Sequence, residues 1–295
     1  PNYAGGASQG ELSKSSDTYK ALKNKNVPPA RINQFIKNAP TYHGDQPFTS
    51  GPVYLGALVL FLFVFSLYIV KGPIKWWVVS ISILAIMLAW GNNFMPLTKF
   101  FMDYVPGYNK FRAVSTTLVI VQFTVPLFAF MGLRKLFTQS IEKQQFLKAL
   151  KHSVYILGGI SLFFILFPGI QDFTGSSDTQ LPGWLSEALR QDRKSLLRQD
   201  AFRSLLFVFL GAGILWAYYY NKLKFSYSIG LLGLFILIDM WTIDKRYLND
   251  QNFAPAREVK NPFTKTKADK IILQDPAKNF RVLNLTVNIF NGAST

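Results

Sequence analysis

Residues 55–70 read LGALVLFLFVFSLYIV, sixteen positions without a charge. An α-helix rises 1.5 Å per residue, so about 20 apolar residues cross a hydrocarbon core of about 30 Å. With its flanks the block covers 52–70. Five more blocks of the same kind follow, at 76–91, 116–133, 153–170, 201–220 and 226–243. All six together hold two charged residues, Arg203 near an edge and Asp239 four residues from an end. Soluble helices carry charge on their solvent face. This pattern predicts an all-α polytopic membrane protein with about six transmembrane helices. The second block is short, and a tilted or re-entrant stretch after Gly91 would extend it.

The composition fits. Of 295 residues, 49% are hydrophobic and only 16% charged, where a soluble protein has about 25% charged. That hydrophobicity also excludes disorder over most of the chain. A formal charge of +16 would by itself suit a nucleic-acid binder. Its distribution says otherwise. If the blocks cross, three short loops share one face: Lys71–Lys75, Arg134–His152 and Asn221–Phe225. Those 29 residues hold nine Lys/Arg and one acid, Glu142. The opposite face has 157 residues with 22 Lys/Arg and 14 acids. Cytoplasmic loops are the ones enriched in Lys/Arg. The short-loop face is therefore expected to be cytoplasmic, with both ends of this chain extracytoplasmic. Half of the charge is a topology signal, and no nucleic-acid partner is expected. The absence of cysteine excludes disulfide, zinc-thiolate and iron–sulfur sites.

Three parts follow: an extracytoplasmic segment 1–51, a six-helix membrane domain 52–243, and an extracytoplasmic segment 244–295. In the first, Ser16–Lys25 reads as a short helix. In the last, Lys265–Gln274 reads as a helix and Phe280–Asn288, FRVLNLTVN, as a strand. One strand cannot close a sheet, so the segment reads as the start of an α/β or β domain cut off in this chain.

The outward loops carry the candidate chemistry. His43 and Asp45 precede the first block in YHGDQPFTSGPVY. They form either a turn that anchors the first helix or a polar contact to a substrate or headgroup. Residues 91–117 interleave aromatic and basic side chains, ending with Lys110, Phe111 and Arg112. Cations there can snorkel from a helix end or contact phosphate, for which Arg suits bidentate bonding. Between Pro182 and Asp200, Trp184, Leu185, Leu189, Leu196 and Leu197 share rough helical spacing among charged residues. That predicts an amphipathic helix lying in the interface. Asp200 and Arg203, three apart on one helical face, can pair or bind an anionic group. Asp239 can pair with Arg203 or Arg112, and an acid inside a span is by default a functional candidate. There is no GxxxxGK[ST] or GxGxxG loop. His43 and His152 fall on opposite faces, which excludes a His-based metal site shared between them. The blocks show no repeat that would suggest a transporter's paired halves.

The stretches YHGDQPFTSGPVYLGA, WGNNFMPLTKFFMDYVPGYNKFRAVST and IDMWTIDKRYLND resemble the bacterial YfhO-like multi-pass membrane proteins, of the Bacteroidetes type. The likeness covers most of the chain. It implies a GT-C-type glycosyltransferase fold that transfers sugar from a polyprenyl-phosphate-linked donor on the outer face of the membrane. An acid in the family's first outward loop commonly acts as general base. This chain resembles the middle and later part of such a protein, so no residue matches that acid. What carries over is the Lys110 and Arg112 loop as a contact for phosphate or lipid carrier. Membrane lipids and a lipid-linked sugar are then the expected partners, with no other cofactor identifiable. A non-catalytic membrane subunit or scaffold, with envelope-complex protein partners, also fits the spans. Transport would want polar residues in several spans, and only Asp239 qualifies.

Overall fold

A computed structural model describes residues 10–43, 53–110, 114–248, 253–256, 265 and 267–274. Helices dominate, and among the described residues the only extended pairing is an antiparallel bridge between Gly10 and Ala39. The chain divides into units 1–248 and 249–295.

Unit 1 begins with α1 (Asp17–Asn24) and α2 (Pro29–Lys37). The bundle helices follow: α3 (Ala57–Ile69), α4 (Ile74–Ala89), α5 (Met95–Tyr104) and α6 (Leu118–Thr138). Next come α7 (Lys143–Ser153) and α8 (Gly159–Leu166), joined through a π-helical turn Val154–Gly158. The last two are α9 (Gly183–Tyr219) and α10 (Phe225–Asp244). In unit 2 the described helix is α11 (Lys267–Ile272). It lies inside the helix expected at Lys265–Gln274. The expected strand Phe280–Asn288, and with it the truncated domain, lies outside the described residues.

By length and composition four helical stretches can cross a membrane: Val114–Thr138, Lys143–Leu166, Gly183–Tyr219 and Phe225–Asp244. A fifth is reached if Ile74–Ala89 and Gly91–Tyr104, bent by 110°, count as one span. The first block, expected to span over 52–70, forms a helix of 13 residues, about 20 Å long. This helix is the centre of the bundle. Leu58, Phe61, Leu62, Phe65 and Ile69 are fully buried, packed with residues of α6, α7 and α9. Two glycines allow the close approach. A methyl group on Gly132 would overlap Ser66, and one on Gly211 would overlap Leu58. Small residues at such crossings let helix backbones come together without lipid between them. The outside is apolar in turn: Trp77 is 74% exposed, Phe123 68% and Leu237 62%. Patches of this extent suit hydrocarbon, not water.

Three expectations need correction. The outward loop 91–117 is not loop throughout, because it contains α5. The basic loop Arg134–His152 shrinks to 139–142, since α6 and α7 extend over its ends. The amphipathic stretch after Pro182 is not a separate helix lying in the interface. It is the first half of α9, which runs unbroken for 37 residues. No proline or glycine interrupts Trp184–Leu210, and strong helix formers fill it. At about 55 Å, α9 exceeds a hydrocarbon core by about 25 Å. The apolar stripe on its first half is covered by protein. Leu185 and Leu189 pack with Leu12, Leu22, Ile32, Ile36 and Ala39. A small cap of α1 and α2 therefore sits on the extension of α9.

Candidate functional site

Two polar clusters are built on α9. The first lies where α9, α10 and the lead-in to α3 meet. A short helix leaves its first amides without partners, and α3 starts inside the protein. Asp239 of α10 supplies an acceptor. Its Oδ2 accepts from the Ala57 amide at 2.7 Å and its Oδ1 from the Tyr54 hydroxyl at 2.8 Å. The carboxylate is fully buried. Gly56 turns the chain at φ +86°, a conformation that glycine adopts without strain.

Arg203 of α9 completes this side. Its Nη2 donates to the Tyr54 hydroxyl at 3.3 Å, and its guanidinium lies 5.2 Å from the centre of the Tyr54 ring. Its Nη1 reaches Thr242 Oγ1 at 3.4 Å. Asp200 is 3.8 Å away. The Arg203 Nε is buried without a hydrogen-bond partner. Asp200 is held more firmly by Arg246, which donates from Nη1 at 2.9 Å and from Nη2 at 2.6 Å. Such a bidentate ionic pair is the stronger kind. Burial works against the Arg246 cation, but the hydrogen bonds and charge of Asp200 outweigh it and raise its pKa. Burial also pushes the neighbouring Tyr247 hydroxyl up to about 12.

The expected pairs are thus rearranged. Asp239 and Arg203 come together, but through Tyr54 and not directly. Asp200 and Arg203 approach only loosely, because Arg246 has taken the carboxylate. Lys110 is exposed on the turn Tyr108–Lys110. Among the described residues no hydrogen bond or ion pair ties its side chain to this cluster. Arg112 and Asp45 lie outside the described residues.

His43 belongs to the second cluster, under the cap. Arg193 of α9 is its hub. It donates to both Asp178 oxygens, at 2.7 and 2.9 Å, to the Phe173 carbonyl at 2.6 Å and to the Pro40 carbonyl at 2.6 Å. Asp178 also accepts from the Gly175 amide at 2.9 Å, closing a tight turn. Phe173 is buried at φ +51°, a conformation uncommon outside glycine. The ring of His43 sits 4.8 Å from that of Phe173, and its Nε2 is 3.3 Å from Gln171 Oε1. Burial lowers the His43 pKa below its usual value, and the nearby Arg193 charge adds to this. One residue before Arg193, Asp192 accepts from the amides of Asp17 and Thr18 at 2.8 Å each. It thereby caps α1 from another helix.

Sequence reasoning missed Tyr54, Thr242 and Arg246 at the bundle end, and Asp178 and Arg193 as a pair. One signal was available. Arg246 follows Asp239 by seven residues, two helical turns, so helical spacing carried just past the end of α10 puts it on the same side. Among the described residues no group of three or more His, Asp or Glu could hold a metal ion. Compared with known proteins, the chain matches no family model, no curated protein and no solved structure.

Proposed function

We propose that this chain is the membrane part of a YfhO-like, GT-C-type glycosyltransferase with six spans, working on the outer face of the bacterial inner membrane. Its donor is a polyprenyl-phosphate-linked sugar, and the bundle end that carries Arg203 meets the donor phosphate. The observation that carries the reading is the state of Arg203. Its nearest carboxylate is claimed by Arg246 at 2.6 Å, while Arg203 stands 3.8 Å from it with Nε unpartnered. A guanidinium with spare donors at the end of an apolar bundle suits a phosphate oxygen pair. Asp239 is a positioning residue in this scheme. Both its oxygens are engaged, and it fixes Tyr54 beneath the guanidinium. The resemblance supplies the sugar and the reaction class.

The test uses the full chain in nanodiscs containing a polyprenyl phosphate, with retained carrier measured by native mass spectrometry. Arg203→Ala should lower retention at least tenfold, and Arg203→Lys should restore part of it. Unchanged retention together with unchanged glycan transfer in cells rejects the reading. A second reading, a non-catalytic subunit or scaffold, is favoured by one observation: the two buried acids of this bundle end both serve structural bonds. A stoichiometric co-purifying protein, with glycans unaffected by every polar variant at the bundle end, would select it.

A further inference from the structure

We propose that α5 is not the second half of a span but an amphipathic helix seated in the headgroup layer of the membrane. The proposal rests on the membrane reading of the bundle and is independent of the phosphate reading of Arg203.

The bend sets the direction. α5 has 10 residues, about 15 Å of helix. Its stretch is turned by 110° from α4. Projected on the axis of α4, it therefore returns by about 5 Å instead of advancing. It adds nothing to a crossing and runs close to the plane across the end of α4.

The bend is fixed by local bonds. Gly91 takes φ +50°. Thr98, buried, donates its hydroxyl to the Gly91 carbonyl at 3.0 Å and to the Phe94 carbonyl at 3.3 Å. One side chain thereby ties the first turn of α5 back to the elbow. Pro96 stands at the start of α5, where its missing amide costs no helical bond.

The depth follows from tryptophan. Trp76 and Trp77 on α4 are 65% and 74% exposed, and Trp90, the residue after its end, is 50% exposed. About 20 Å of helix separates them, less than a core of about 30 Å, so one end alone sits at a boundary. Tryptophan collects at the two membrane–water boundaries. Trp90 marks one of them, and α5 begins five residues later.

The faces of α5 match that level. At 100° per residue, Leu97, Phe100, Phe101 and Tyr104 fall within an arc of about 100°. Lys99 and Asp103 lie on the other side, four residues apart. Phe100 is 53% exposed and Tyr104 74%, and their rings are 5.1 Å apart. On α4, Ile83 is likewise 51% exposed and Ile86 36%. A lipid surface is the occupant that covers both helices. Lys99 then lies within reach of lipid phosphates.

The chain has no cysteine, so single labels report cleanly. Leu97→Cys, Phe100→Cys, Tyr104→Cys, Lys99→Cys and Asp103→Cys variants of the full chain would each carry a nitroxide in phosphatidylethanolamine–phosphatidylglycerol vesicles. Collision with oxygen and with a water-soluble nickel chelate is then measured by electron paramagnetic resonance. Labels at 97, 100 and 104 should favour oxygen several-fold, while those at 99 and 103 favour nickel. Nickel access at all five positions would place α5 in water and overturn the proposal. Oxygen preference at all five would make it part of a broken span. Immobile labels at 97, 100 and 104, shielded from both reagents, would mean that a second copy or another protein covers the face.

Discussion

The Tyr54 hydroxyl donates to Asp239 Oδ1 at 2.8 Å across 185 residues of sequence. The bond joins the lead-in of α3 to the far part of α10. With the Ala57 amide on Oδ2, it closes the start of a helix of 13 residues. Buried polar groups need partners within the protein. Asp239 supplies them for the Tyr54 hydroxyl and the Ala57 amide.

Removing that carboxylate orphans the buried Tyr54 hydroxyl and leaves the Ala57 amide with only the Tyr54 oxygen at 3.1 Å. An orphaned buried donor costs about 1–3 kcal/mol. Asp239→Ala should therefore destabilise the bundle by about 1–3 kcal/mol, read as a fall in thermal midpoint in detergent. Asp239→Asn keeps one acceptor and should cost less. In a double-mutant cycle, Tyr54→Phe and Asp239→Ala should be strongly non-additive. Additive losses would mean that the two residues act separately.

The α3–α6 crossing depends on a missing side chain. A methyl on Gly132 would overlap the Ser66 hydroxyl and approach its Cα to 2.9 Å. Gly132→Ala should cost about 1–3 kcal/mol by overpacking. Ser66→Gly added to it should recover only part of the loss, because the Cα at position 66 still lies 2.9 Å from the methyl and the bond to the Ala129 carbonyl is gone. Thermal aggregation in detergent would compare the two variants. If the double variant is no better than Gly132→Ala alone, the contact is not the cause.

The fold was legible to differing degrees, for physical reasons. Charge-free blocks announce burial in lipid or protein, and α6, α9 and α10 follow from that alone. The length of α3 was not legible, because its cap comes from Asp239, 182 residues away. The stripe Leu185, Leu189 and Leu196 looks the same whether lipid or protein covers it. Only the folding of α1 and α2 onto it decides. The bend after α4 was half legible, since Gly91 hinted at a re-entrant stretch but the Thr98 bond could not be read from spacing. At the site, the pairing of Asp200 with Arg203 was plausible by helical register. It lost to Arg246 because a bidentate geometry from another segment outweighs a neighbour held three residues away.

Arg193 is a single fastener for three segments. Its side chain is 1% exposed, and that of Asp178 is 6% exposed. Arg193→Met keeps the stem and removes the charge, leaving the buried Asp178 with only the longer contact to Arg190 at 4.0 Å. Breaking one side of a buried pair costs about 3–5 kcal/mol. The expected result is local: faster proteolysis within 171–182 and near Pro40, with the melting of the bundle little changed. Asp178→Asn with Arg193→Met should be milder than Arg193→Met alone. Equal cleavage in wild type and variant would remove Arg193 from this role.

His43 makes the cap sensitive to acid. Its pKa is lowered in the folded chain, chiefly by burial, with the charge of Arg193 a smaller contribution. The unfolded value is about 6.5. Folding therefore favours the neutral ring. That contribution is complete above about pH 6.5 and is lost as pH falls through the lower folded value, where protonation favours the open form. A nitroxide at the exposed position Lys20→Cys on α1 should become more mobile across that window. His43→Phe, which keeps a ring against Phe173 but cannot titrate, should hold the label steady over the same range. A pH response that persists in His43→Phe would assign the acid sensitivity to another group.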